Sequence, residues 1–225
     1  MPYKFLKRIE DLFFSLSVII IFSPVLILVS IISFLLQGWP IFYVSKRMVG
    51  KNTQINIVKF RTMVKDATSK KYGLEEKYMK DGYLDIPLDS NVYTTFGRFL
   101  EKTQLVEIPQ VFPVLFGKMS FVGNRPLPQK NTELLKKKYP EIWEKRFSSP
   151  AGITGISQVV GKFTIDPERR LILESLYSKV YNEGNVLKAD AYIFFSTIIL
   201  LLLRDSVAYR SYDSAQKVLM SCLKK

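Results

Sequence analysis

From Leu12 to Leu36 the chain reads LFFSLSVIIIFSPVLILVSIISFLL, 25 residues without a charge. A helix rises about 1.5 Å per residue, so a segment of this length reaches across a hydrocarbon core roughly 30 Å thick. Where it goes sets most of what the rest of the chain can do. Lys4, Lys7 and Arg8 stand before it, and Lys46, Arg47, Lys51, Lys59, Arg61 and Lys65 follow it with no acid before Asp66. Short basic flanks stay on the cytoplasmic side of a membrane, and here both ends carry that signal. Ser23 and Pro24 fall at the centre, where proline removes a helical hydrogen bond and a serine hydroxyl can take up the carbonyl left free. The segment therefore predicts a kinked re-entrant helix that returns to the face it entered, with Trp39, Phe42 and Tyr43 at headgroup level. A bent spanning helix fits the length but not the flanks. A cleaved signal peptide fits neither the length nor the lack of a small-residue cleavage pattern.

The chain has 225 residues, 48% of them apolar, enough to bury the core of one domain with appendages. Its pattern divides into residues 1–45, the membrane helix and its flanks; 46–203, a domain with helices at the membrane interface; and 204–225, a basic amphipathic tail. Lys and Arg number 33 against 20 Asp and Glu, a net charge of +13, which favours an anionic partner such as phospholipid headgroups, nucleic acid or a phosphorylated small molecule. No nucleic-acid-binding motif is present, so nucleic acid is not the expected partner. The absence of histidine excludes His-based triads and His metal ligands. The lone Cys222 excludes an intramolecular disulfide and a cysteine zinc site, and fits a reducing, cytoplasm-facing location.

Periodicity predicts an α+β class, mainly helical with a small β element. KNTQINIVKFRTM reads as a strand with Lys59 and Arg61 on one side, about 7 Å apart. Such a pair suits a diphosphate, and equally a solvated edge strand. Residues 66–90 read as a loop with one short helix. From Val92 a helical face of Phe96, Phe99, Leu100 and Thr103 opposes Arg98 and Lys102, and Pro109 and Pro113 bend or end that helix. SFVGNRPLPQ is a turn carrying Arg125, followed by a charged helix from about Thr132 to Arg146. SSPAGITGISQVVGKF leads into a strand, and Asp166 with Pro167 opens a helix. Residues 189–203 are short for a span and suit either the bilayer boundary or a buried core.

The order of these motifs resembles the monotopic bacterial phosphoglycosyl transferases, also called bacterial sugar transferases or undecaprenyl-phosphate sugar phosphotransferases. The likeness runs through KRIEDL from Lys7, the break at Ser23 and Pro24, KRMVG ending at Gly50, KFRTM from Lys59, FGRFLEKTQLVEIPQ, GKMSFVGNRP, PAGITGISQV and Asp190 in LKADAYIF. It covers the chain to about residue 203. The resemblance implies a re-entrant helix and a small catalytic-type domain on the cytoplasmic face of the bacterial inner membrane, held there by anionic lipids. It implies transfer of a sugar-1-phosphate from a UDP-sugar to undecaprenyl phosphate, releasing UMP, as the first membrane step of a surface glycan, with glycan-assembly enzymes as further partners. In the family an Asp-Glu pair precedes PQ, the Asp attacking the β-phosphorus and Mg²⁺ neutralising the diphosphate.

Carried onto this sequence, Glu107 is the candidate catalytic and Mg²⁺-contacting carboxylate. Lys59, Arg61, Arg98, Arg125 and Pro126 are the candidate phosphate and nucleotide-sugar contacts, and Asp190 matches a family acid without an assigned role. Val106 stands where the family has the attacking aspartate, Asn124 where it has the first proline of GPRP, and Pro113, Phe116 and Lys118 also depart from its pattern. Two readings follow. In one, Glu107 or direct attack by the polyprenyl phosphate replaces the nucleophile. In the other, the chain is a catalytically inactive relative that binds lipid phosphate, nucleotide sugar or a glycan-assembly partner.

Overall fold

Pro24 does not end the first helix: α1 runs Pro2–Gln37 with Pro24 inside it. The N–H that proline lacks would have bonded the carbonyl of Ile20, and the Ser23 hydroxyl donates to that same oxygen at 3.0 Å. The serine thus performs the repair its position predicts. Gly38, at φ +67°, then turns the chain out of the helix. The computed structural model describes residues 2–67, 69–80, 83–84, 86–161, 165–203 and 209–223.

β1 (Phe42–Met48) and β2 (Gln54–Phe60) form a two-stranded sheet. The next stretch holds α2 (Leu74–Tyr78) and the antiparallel pair β3 (Met79–Lys80) and β4 (Tyr83–Leu84). α3 (Thr95–Thr103) gives way to a 3-10 turn over Leu105–Gln110 and to α4 (Val111–Leu115). β5 (Ser120–Val122) is followed by α5 (Gln129–Lys138), β6 (Gly152–Thr154) and α6 (Ile156–Val159). α7 (Pro167–Glu183), α8 (Val186–Leu203) and α9 (Tyr212–Leu223) complete the order. The protein is mostly helical with small sheets. α1, over Tyr3–Gln37, and α8 are each long and apolar enough to cross a membrane by length and composition.

Two expected elements differ. The charged helix stops at Lys138 because Pro140 disfavours helical geometry in the residue before it. The strand after SSPAGITG is instead the short β6 ahead of it, and Ile156–Val159 is helical; Lys162 and Phe163 lie outside the described residues. The helix opened by Asp166 is present, its carboxylate accepting the Arg169 N–H at 2.9 Å. Of the tail, residues 204–208 and 224–225 lie outside the described residues.

Contacts divide the chain into two units, each assembled from separate stretches. The first comprises Met1–Ser17, Lys46–Ile55 and Val111–Lys225; the second comprises Val18–Ser45 and Asn56–Gln110. In the first, Ile156, Leu173, Tyr177, Ile193 and Leu219 are fully buried where α6, α7, α8 and α9 pack. α9 contributes Ala215, Leu219 and Cys222 to that core. β5 and β6 pair in parallel, Ser120 opposite Gly152 and Val122 opposite Thr154. The glycines of PAGITG permit the approach: a Cβ on Gly152 would lie 2.1 Å from the Gly123 nitrogen, and one on Gly155 2.0 Å from the Gly123 oxygen. In the second unit, Val29, Phe60, Leu100 and Val106 form one buried cluster and Ala67, Leu74 and Val92 another.

Candidate active site

In the second unit the Thr94 hydroxyl caps α3 by accepting the Gly97 N–H at 2.8 Å. A Cβ on Gly97 would lie 1.8 Å from the Thr62 carbonyl, so glycine lets α3 sit directly on the backbone just past β2. Gln104, at φ 60°, ends the helix in the left-handed conformation. Glu107 therefore stands in a 3-10 turn, where successive side chains point about 120° apart, rather than in the α-helix expected from the pattern.

That geometry meets the alternation of β2. Phe60 points into the apolar cluster and packs with Val106, which is 2% exposed. Lys59, of opposite parity, places its Nζ 2.5 Å from Glu107 Oε1, the two side chains being 22% and 18% exposed. Strand and turn thus match residue for residue, an apolar pair inward and an ion pair outward. The fold brings together two of the candidate residues, Lys59 and Glu107, that lie 48 positions apart.

Arg61 is used differently. β2 ends at Phe60, so the parity that was to align Arg61 with Lys59 stops one residue short. Its Nη2 donates to the carbonyls of Gln37 and Gly38 at 2.5 and 2.9 Å, closing the end of α1. This is favourable placement for a cation, since a helix C-terminus carries partial negative charge and unpaired carbonyls. Arg98 donates to the carbonyls of Leu88 and Ser90 at 2.9 and 3.1 Å.

In the first unit, Arg125 and Pro126 follow β5. Asn124 supplies what a proline there could not: its Nδ2 lies 2.8 to 3.2 Å from the carbonyls of Arg146 and Glu174 and the hydroxyls of Ser149 and Ser178. Arg146, buried with Glu174, donates Nε to the Glu174 carboxylate at 2.6 Å and Nη2 to the Arg125 carbonyl at 2.7 Å. No local pattern marks Arg146 or Glu174 in the sequence, where they are 28 positions apart.

Asp190 is fully buried. It accepts from Lys7 Nζ at 2.5 Å and from the Tyr177 hydroxyl at 2.7 Å. Burial raises its pKa, a rise that the Lys7 charge reduces without cancelling. One turn further along α1, Asp11 accepts the Phe121 N–H at 2.8 Å and the Ser120 hydroxyl at 2.8 and 2.9 Å. Arg8 donates to the Val114 and Leu115 carbonyls at the end of α4, at 2.7 and 2.8 Å. Lys7 and Arg8 were flanking charges in the sequence; here, with Asp11, they fix the base of α1 to α4, β5 and α8.

Between them, Glu10 has one carboxylate oxygen buried without a hydrogen-bond partner. Burial, with Asp190 adding to it, raises its pKa from 4.5 to about 7. A carboxyl whose folded pKa lies above its unfolded one stabilises the fold most at low pH, and that contribution fades as pH rises from 4.5 through 7. Glu10→Gln is therefore expected to raise the unfolding midpoint at pH 8 and leave it unchanged at pH 4.5, as read by thermal melts in lipid nanodiscs. Equal shifts at both pH values would refute this.

Among the described residues no cluster of three or more Asp, Glu, His or Cys is placed to hold a metal ion. A single carboxylate such as Glu107 still suits magnesium, which is commonly held by one or two carboxylates together with substrate phosphates.

A family description, bacterial sugar transferase, matches residues 2–204. The chain is 32% identical over 209 residues to the UDP-galactose-lipid carrier transferase of Erwinia amylovora, covering 90% of this chain and 41% of that protein. It is likewise 32% identical over 209 residues to the undecaprenyl-phosphate galactose phosphotransferase of Salmonella typhimurium, with the same 90% and 41% coverage. The exopolysaccharide production protein ExoY of Rhizobium meliloti is 28% identical over 200 residues, covering 85% of this chain and 83% of that protein. The chain thus spans about two-fifths of the length of the first two relatives. The match takes in the base of α1, the Glu107 turn, the Arg125 turn and α8 together, and on that extent the chain belongs to the bacterial sugar transferase family.

Proposed function

We propose that this protein transfers a sugar-1-phosphate from a UDP-sugar to undecaprenyl phosphate and releases UMP, producing the lipid-linked sugar on which surface-glycan enzymes build. The observation that carries this reading is the ion pair of Lys59 and Glu107, set on the side of the turn opposite the apolar cluster. Phosphoryl transfer needs positioned charge around oxygens on which negative charge spreads. Lys59 supplies a cation for a diphosphate oxygen, and Glu107 holds that ammonium in place. By the family resemblance Arg125 is a further candidate phosphate contact, on a backbone fixed by the buried Arg146. Arg61 and Arg98 support the site through the end of α1 and the loop before α3. Mg²⁺, when bound, neutralises diphosphate charge, and Glu107 is the residue that would hold it. The test is UMP release from a panel of UDP-sugars, with undecaprenyl phosphate and Mg²⁺, by the protein in nanodiscs. Release from at least one sugar nucleotide is expected; silence across the panel would sink the reading.

The same proposal places the chain as a monotopic protein on the cytoplasmic face of the inner membrane, with α1 re-entering and anionic lipids meeting its basic flanks. Ser23 bonded to the Ile20 carbonyl supports a bend there. Exposed Ile20, Ile21, Leu35 and Leu36 are suited to acyl chains. Cysteines introduced at Lys4 and Lys51 are expected to react from the cytoplasmic side alone; labelling from opposite sides would mean that α1 crosses.

A further inference from the structure

The carbonyl of Val122, the last residue of β5, receives two side-chain donors from other elements. Lys7 Nζ approaches it at 2.9 Å and the Tyr177 hydroxyl at 3.2 Å. Tyr177 has a single proton and lies closer to Asp190, at 2.7 Å, so Lys7 is the stronger donor to Val122. Lys7 has three protons and spends one on Asp190 and one on Val122. Its ammonium is buried, and a buried ammonium with only a carbonyl for company is not sustained. Asp190 is what keeps Lys7 in place.

From Val122 to Arg125 every residue is held. Gly123 lies so close to the backbone entering β6 that a Cβ would sit 2.4 Å from the Pro150 oxygen and 2.8 Å from the Gly152 nitrogen. Asn124 is bound through Nδ2, and the Arg125 carbonyl through Arg146. A segment without slack transmits a shift at one end to the other. We propose that Asp190 is a positioning residue: by holding Lys7 on the carbonyl of Val122, it fixes the turn that presents Arg125 to the phosphate groups of the substrate. The proposal rests on the transferase reading above for the role of Arg125. It deepens that reading by giving Asp190, Lys7 and Tyr177 a shared task.

The test must separate positioning from folding. Replacing both members of a buried ion pair by apolar residues of similar volume leaves no orphaned charge and is commonly neutral for stability, so Lys7→Met with Asp190→Leu is the informative double variant. Its melting temperature is expected to match wild type. The KM for UDP-sugar in the UMP-release assay is expected to rise roughly tenfold with kcat nearly unchanged, the pattern of a contact made equally in ground and transition states. In hydrogen exchange, the amides of residues 123–125 are expected to lose protection while those of α7 keep theirs. Wild-type KM with unchanged protection at 123–125 would overturn the proposal. So would kcat falling in proportion to the folded fraction with KM fixed. Should the double variant not fold, Asp190→Asn keeps the acceptor for Tyr177 and removes only the charge that holds Lys7; it is expected to show the same KM rise at smaller size, and an unchanged KM overturns. If wild type itself releases no UMP, the transferase reading fails, and exchange at 123–125 alone decides whether Asp190 fixes the turn.

Discussion

Glu107→Gln is expected to lower UMP release by on the order of 10²- to 10³-fold, the size of effect seen when one preorganised electrostatic group is removed from a transition state. The melting temperature is expected to move by only a few degrees. Glutamine keeps the volume and an acceptor for Lys59 but lacks the charge. The two side chains are only 22% and 18% exposed, but the glutamine acceptor spares Lys59 the loss of its hydrogen-bond partner, which is the larger part of the cost of breaking such a pair. A purely structural role for the pair therefore predicts small effects on both rate and stability, whereas a role in the transfer predicts a large effect on rate alone. Lys59→Met should follow the same pattern, because the lost cation is the other half of the arrangement. A rate loss below about threefold for Glu107→Gln would remove this pair from the chemistry.

Local features of the chain were readable where one residue decides the outcome. Asp166 before Pro167 starts α7 as an N-cap should, and the uncharged run from Leu12 to Leu36 becomes part of one long helix. Ser23 repairs the gap that Pro24 makes because both partners lie within one turn. The reading failed where a boundary moved by a residue: β2 stops at Phe60, so Arg61 leaves the strand pattern and serves the end of α1 instead. The strand β1 falls in a stretch whose aromatic residues also suit a membrane interface, and composition does not separate the two. Lys7 and Asp190 are 183 positions apart; neither carries a local mark of the other, so their pairing emerges only from the packing of α1, β5 and α8. Asn124 was legible as a departure from a proline motif. Its purpose, setting two amide protons among four acceptors that reach as far as Ser178, required the fold.

Val106→Asp is expected to unfold the protein more readily rather than improve it, although an aspartate there would restore the residue that the family resemblance implies. The side chain at 106 sits among Val29, Phe60 and Leu100, and Lys59 lies on the other side of the strand from Phe60. An ionised carboxylate would be uncompensated in that cluster, costing on the order of 3–5 kcal/mol, a large share of a typical domain's stability. A protonated one would still lack hydrogen-bond partners among those apolar groups. Rotating the 3-10 turn by one residue, about 120°, would bring the introduced carboxylate toward Lys59 but carry Glu107 away from it. In this register one position of the two faces Lys59, and in the native chain Glu107 occupies it. Thermal melts in nanodiscs should therefore show a drop of roughly 6–20 °C, with UMP release per folded molecule no higher than wild type. Faster release at an unchanged melting temperature would mean that the side chain at 106 leaves the core, and the packing of Val106 against Phe60 would not be the working arrangement. The expected loss makes the valine a core residue and leaves Glu107 as the carboxylate that this turn holds outside the core, against Lys59.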